Sequence, residues 1–410
     1  MSIRIVKAIW VFEKVYVPDC CYFAPNFQPC SFMNIVIATD KFKGSLSSFA
    51  VCDAMEQGLL KASPGFTITK LPLSDGGDGL ADVLAYYTSA KKVVVTVSDP
   101  LLRSVQAYYL LAADGKTAFI EMAQASGLLL LQPHEYNPLQ TTTFGTGELV
   151  KHALQHGVSK IVLGIGGSAT NDGGIGMAAA LGYRFLDEHG NELKPVGENL
   201  VRIHTIDAIT KIVLADVAIE VACDVTNYLT GDSGAAKTYA PQKGATPEMV
   251  EQLEKGMVHF AAVVQRQLGV DIATIKGGGA AGGMGAGSVL FLNAQIRSGV
   301  ELLLQYSHAE KYIAAADMVI TGEGKLDVQS LHGKVVHGVA ELCRKYNKPV
   351  IALCGAIDVD LEAAHTAGLT AAYSIISKPM QLEEAMSKAE ALLRNTAYNL
   401  GNFLKTSYHL

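Results

Sequence analysis

Residues 164–176 read G-I-G-G-S-A-T-N-D-G-G-I-G, and this run decides the fold class. It follows the apolar stretch Lys160-Ile161-Val162-Leu163 and precedes the helix-forming stretch Met177-Ala178-Ala179-Ala180-Leu181. The order is therefore strand, glycine loop, helix. Such a loop presents several backbone N–H groups near a helix start, where anions bind. It also carries Ser168, Thr170, Asn171 and Asp172, groups able to hydrogen-bond a hydroxyl, coordinate a metal or take a proton. A loop that holds an anion and supplies a carboxylate fits phosphoryl transfer to a small polar acceptor.

The same alternation extends outward in both directions. Strands are expected over 34–38, 66–73, 92–97, 105–112, 117–121, 211–214, 219–223, 317–320, 349–353 and 371–376. Helices are expected over 49–61, 80–87, 147–155, 247–268, 334–346 and 361–367, with a last one from residue 382. Asp114-Gly115 marks a hairpin turn. The βαβ order of the first and last segments implies a parallel sheet with its loops gathered at the strand C-termini. We therefore expect an α/β protein in which 33–73 and 296–410 form one flavodoxin-like domain. A large second α/β domain, 74–295, is inserted into it, with the site in the cleft between them. The strand at 160–163 fits either domain.

Composition narrows the function. The chain has 410 residues, 49% hydrophobic and 18% charged, as in soluble globular proteins with room for two cores. A net charge of −6 with no lysine/arginine block argues against nucleic acid. No uncharged apolar run reaches membrane-spanning length. Seven cysteines without a C-x-x-C pair argue against structural zinc, and the odd count fits a reducing cytoplasm. Residues 1–32 stand apart, holding the only tryptophan, Trp10, and three of the cysteines. We expect Met33 to be the native start and 1–32 to be non-native or a poorly ordered arm.

Six loops carry chemistry. In 39–48 (T-D-K-F-K-G-S-L-S-S) a helix cap explains Ser47 or Ser48 but not Asp40 and Lys43. In 74–79 (S-D-G-G-D-G) Ser74, Asp75 and Asp78 fit a tight turn or a metal or phosphate site. Within the central loop, Gly164, Gly166 and Ala169 match a dinucleotide fingerprint with Asp187 downstream, but the helix starts too late for a tight Rossmann turn. Asp224, just past a strand, is a helix cap or a general base. The run 277–287 (G-G-G-A-A-G-G-M-G-A-G) lets helices pack closely or admits nucleotide phosphates. Residues 321–330 (T-G-E-G-K-L-D-V-Q-S) mix acid, base and hydroxyl groups in one loop. The loops 231–234 and 241–244 read as structural, and His332 and His337 as surface or packing residues. The chain has no Walker A motif, no H-E-x-x-H and no G-x-S-x-G.

From Met33 to near the C-terminus, these pieces together resemble the type I glycerate kinase family. The matching segments are D-K-F-K-G-S-L-S-S, S-D-G-G-D-G, F-I-E-M-A, G-T-G-E-L, G-I-G-G-S-A-T-N-D-G-G, A-C-D-V-T-N, P-Q-K-G-A, G-A-A-G-G-M-G-A and T-G-E-G-K-L-D-V-Q-S, in that order. The resemblance implies phosphorylation of D-glycerate by ATP with Mg²⁺, mostly giving 2-phospho-D-glycerate. It also implies a flavodoxin-like domain carrying an inserted domain. Lys41 stands where serine is usual, Lys325 where arginine is common, and Asp78 where glutamate is frequent.

On this basis ATP is assigned to Gly278, Gly279, Gly282 and Gly283 and to Thr321, Gly322, Glu323 and Lys325. Substrate contacts are assigned to Asp40, Ser74, Asp75, Asp78, Ser168 and Asn171. Lys43 neutralises phosphate or carboxylate charge. Among Asp172, Asp224 and Asp327, one accepts the hydroxyl proton and another holds Mg²⁺, with Asp224 favoured as base and Asp327 as metal ligand. The rival readings are a glycerate 3-kinase, an NAD-dependent hydroxy-acid dehydrogenase and a non-catalytic organic-acid-binding protein. The hydroxyl attacked depends on a substrate pose of about an ångström, and the oligomeric state is not legible.

Overall fold

The computed structural model describes residues 33–74, 80–209, 211, 212, 214 and 216–407. Asp75 and Asp78 lie outside the described residues. Strand Asn34–Thr39 shows why the first described segment enters a buried sheet. Ile35 and Ile37 point to one face, Val36 and Ala38 to the other, and all four are buried. Apolar residues on both faces mark a parallel strand covered by helices on each side. It pairs in parallel with Thr67–Pro72 on one edge and Met318–Thr321 on the other. Val350–Cys354 and Ala371–Ser374 complete the five-stranded sheet, all parallel. Numbered along the chain, the order is 2-1-3-4-5, that of flavodoxin.

The six-stranded sheet runs Gln295–Arg297, Ala218–Ala222, Lys160–Gly164, Thr117–Glu121, Ser104–Leu111, Lys91–Ser98. The first four are parallel and the last two antiparallel, with the Asp114-Gly115 hairpin joining Ser104–Leu111 to Thr117–Glu121. Lys160–Gly164 thus belongs to this second sheet. So does Gln295–Arg297, and the chain returns to the first sheet only after Arg297, not at residue 296. Of the strand expected over 211–214, the described residues Lys211, Ile212 and Leu214 are irregular. Ile212 and Leu214 pack against the second core without a ladder.

Helices Ser48–Ala62 and Ala389–Ser407 cover the outer face of the first sheet. Ser47 caps the former, accepting from the Ala50 N–H at 3.2 Å. Its inner face shares one core with helices Leu80–Thr88, Gly299–Tyr306, Ala309–Ala315 and Val335–Lys345, and with Leu110, Phe119, Val162 and Ala222 of the second sheet. Helices Phe144–Gln155, Ile175–Ala180, Pro247–Leu268 and Ala280–Leu292 cover the far face of the second sheet. The molecule is therefore five layers: helices, sheet, shared helices, sheet, helices. Among the described residues no helix is long and apolar enough to cross a membrane.

Candidate active site

The first sheet reverses strand order between Asn34–Thr39 and Met318–Thr321, and the crevice outside such a switch point is where open α/β sheets bind ligands. Asp40 and the T-G-E-G loop emerge there side by side, tied by Asp40 N–H to the Gly322 carbonyl at 3.0 Å. Gly322 has to be glycine, because a Cβ would overlap the Leu353 carbonyl oxygen. The loop is also stitched to the next strand, Gly355 N–H to Glu323 O at 3.2 Å and Ala356 N–H to Gly324 O at 3.0 Å. Above these backbones opens a cavity of about 610 Å³. Its polar side holds Asp40, Lys41, Lys43, Glu323, Lys325, Asp327 and Lys334; Ile375, Ile376, Met380, Leu382 and Met386 form an apolar wall. Asp40, Lys43, Glu323, Lys325 and Asp327, drawn from two distant loops, are thus brought together. Lys334 was not anticipated, since it lies beyond the loop at the start of Val335–Lys345.

Glu323 dominates the electrostatics. Its side chain is 8% exposed and its Oε1 has no hydrogen-bond partner among the described residues. Burial pushes its carboxyl up to about 7; the hydrogen bond from Ser330 and the charge on Lys334 oppose this, and Asp40 and Asp327 add to it. Asp327 lies below the usual range: burial raises it, but hydrogen bonds from Ser330 and the charge on Lys334, 3.9 Å away, outweigh that. Lys325 is ion-paired with Asp358 at 2.6 Å. Buried Thr321 has an unpaired hydroxyl among the described residues.

Ser74 follows the strand next to Asp40, with Leu73 N–H donating to Thr39 O at 2.9 Å, and its buried hydroxyl has no partner among the described residues. Six residues later Leu80 packs beside Gly164, and Ala81 N–H donates to Glu121 Oε1 at 3.2 Å. Six residues span at most about 20 Å, so the C-terminal end of strand Lys160–Gly164, from which the central loop leaves, lies within that distance of Ser74. Within that loop Ser168 is 9% exposed, beside exposed Gly166 and Gly167. Asn171 is fully buried with both amide atoms unpaired among the described residues.

Asp172 is not a base. It is fully buried and accepts from Thr143 N–H and Oγ1 at 2.8 Å each, from Gly174 N–H at 3.1 Å and from Gly176 N–H at 3.2 Å. Burial raises its carboxyl against those bonds. A carboxylate with that many internal donors braces its loop and has no face left for a substrate. Asp224 is exposed, and its Oδ1 accepts from Ser298 Oγ at 2.7 Å and Gly299 N–H at 2.9 Å, bracing the start of helix Gly299–Tyr306. It lines a neighbouring cavity of about 780 Å³ with Lys276, Arg297, His332 and His337. The segment His332-Gly333-Lys334 touches both cavities, so they adjoin.

The glycine run 277–287, assigned above to ATP, packs instead against the backbone of the central loop. Gly278, Gly279, Gly282 and Gly283 are buried. At Gly282 φ is +69° and a Cβ would overlap the Thr170 carbonyl oxygen; Gly283 and Gly287 abut Gly173 in the same way. The run is glycine so that two loop backbones can touch. Asp187 accepts from the N–H groups of His189 and Asn191 in an exposed turn, which removes the dinucleotide fingerprint's ribose ligand.

The chain matches the model of the Glycerate kinase family over residues 35–405. It is 44% identical over 369 residues to a Bacillus cereus protein named glycerate kinase, covering 90% of this chain and 97% of that one. It is 44% identical over 359 residues to the Escherichia coli K12 protein named glycerate 2-kinase, covering 87% and 94%. A solved structure assigned as glycerate kinase 2 from Salmonella typhimurium LT2 superposes with a TM-score of 0.82 at 46% identity, covering 92% of this chain and all of that one. With switch-point crevice, loop order and relatives in agreement along nearly its whole described length, the chain belongs to the glycerate kinase family.

Proposed function

We propose that the protein phosphorylates D-glycerate with ATP at the 2-hydroxyl, releasing ADP and 2-phospho-D-glycerate. The observation that carries this reading is the buried Glu323 carboxylate at the switch point, whose Oε1 has no hydrogen-bond partner among the described residues, in a cavity shared with Lys41, Lys43, Lys325 and Lys334. Phosphoryl transfer asks mainly for positioning and for neutralisation of spreading negative charge, and this crevice supplies both. The apolar wall Ile375, Ile376, Met380, Leu382 and Met386 suits a purine base, and Lys43 and Lys334 suit its phosphates. Glu323, near 7, accepts the acceptor's hydroxyl proton in place of Asp224. The rest of the acceptor extends toward Ser74 and the central loop.

The donor set fits Mg²⁺. Asp40 and Asp327 offer hard carboxylate oxygens in one cavity, and Mg²⁺ takes one or two carboxylates, leaving other positions to water and phosphate. Among the described residues no group of three or more His, Cys, Asp or Glu could hold a metal unaided, so phosphate would complete the shell. The ion's contribution when bound is charge neutralisation at the transferring group. The name of the Escherichia coli relative supports the 2-hydroxyl. The reading includes a cytoplasmic enzyme of two domains, one built on each sheet.

Incubation with ATP, Mg²⁺ and D-glycerate, followed by phosphorus NMR, tests the proposal. The expected products are ADP and 2-phosphoglycerate. A 3-phosphoglycerate signal would overturn the regiochemistry, and no glycerate-dependent ADP would overturn the function.

A further inference from the structure

Lys243, in the P-Q-K-G loop, is 1% exposed and reaches the central loop from far along the chain. Its Nζ donates to Ser168 Oγ at 2.8 Å and to the Thr170 carbonyl at 2.6 Å. Burial pulls its amine down to about 7, against the attraction of Asp172. Burying an ammonium group is costly. Loop bracing alone does not call for it, because Asp172 already ties the loop to Thr143, Gly174 and Gly176.

The bond to Ser168 has a directional consequence. A lysine nitrogen can give a proton to each of these two oxygens whether it is charged or neutral. Ser168 Oγ then uses a lone pair on Lys243, and its own proton points elsewhere. The hydroxyls of neighbouring Ser126 and Thr146 are already bonded to each other at 2.7 Å. The adjacent Gly166 and Gly167 are exposed, so the loop opens to solvent beside Ser168. We infer that Lys243 is a positioning residue, which holds the Ser168 hydroxyl from beneath and aims its proton at an oxygen of the small hydroxy-acid acceptor. This rests on the functional reading above and adds to it a determinant of acceptor binding.

The test uses the full chain as wild type, Ser168→Ala, Ser168→Thr, Lys243→Met and the Lys243→Met/Ser168→Ala double variant. Ser168→Ala should raise the KM for D-glycerate about tenfold, with kcat and the KM for ATP within about threefold. Ser168→Thr, which keeps the hydroxyl, should recover most of that loss. The double variant should bind glycerate no worse than Lys243→Met alone, because one acts through the other. If the two losses multiply, or Ser168→Ala has the wild-type KM, the inference fails. Should Lys243→Met not fold, Ser168→Ala against Ser168→Thr still decides. Wild type without transfer to glycerate removes the functional reading and this one with it; an active wild type with an indifferent Ser168 removes this one alone.

Discussion

Glu323 draws its chemistry from its surroundings, not from its residue type. A glutamate in water ionises near 4.5, and this one is held to about 7 by burial. Two outcomes follow. As base it must be ionised, so kcat/KM should rise with pH through about 7, and Glu323→Gln should lose that limb and about 10²–10⁴ in turnover; a pH–rate series checks both. The linkage has the opposite sense for stability. A raised folded pKa gives stability that is full below 4.5 and lost as pH climbs through about 7. At pH 8 the ionised wild type should therefore be less stable than Glu323→Gln by on the order of 3 kcal/mol. That gap should close toward pH 4.5 in thermal melts, and a wild type as stable as the variant at pH 8 would contradict it. At this scale the sequence singled out Asp40, Lys43, Glu323, Lys325 and Asp327 at strand ends, and the structure brings them to one cavity. It did not show which donors hold Asp172 and Asp224, since Thr143 is distant from Asp172, and Ser298 and Gly299 from Asp224, along the chain. Lys243 left no trace in spacing, because a buried lysine looks like any other until its partners are placed.

Regular elements were legible where apolar periodicity was strong. Helix Pro247–Leu268 and strand Thr117–Glu121 have the expected bounds. The glycine run 277–287 was ambiguous because glycine serves equally to admit a phosphate and to admit another backbone. Only the partner distinguishes them, and here it is the central loop. Gly282→Ala should thus destabilise the fold by about 1–3 kcal/mol through overpacking, read as a lower thermal midpoint. Nucleotide affinity should be unchanged at temperatures where the variant remains folded. Loss of nucleotide affinity with an unchanged midpoint would restore the run to the ATP site.

Between the two sheets lies a helical layer that belongs to both cores, with Leu80, Val83 and Leu84 sharing a cluster with Val36 on one side and Phe119 and Val162 on the other. A shared core couples the two halves, so calorimetry should show a single cooperative unfolding transition; two resolved transitions would mean that the halves fold independently. The βαβ alternation made the parallel sheet legible. The register of Asn34–Thr39 in its pairing with Met318–Thr321 was not, because no local pattern records which residues of two distant strands stand side by side. That pairing has a cost during synthesis. The early strand emerges from the ribosome with one neighbour at hand, Thr67–Pro72, while its other edge waits for the whole second sheet to be translated. An unpaired, apolar edge held open that long invites misassociation. A nascent or prematurely terminated chain has Asp40 without Glu323, and so carries both the aggregation hazard and an unfinished crevice.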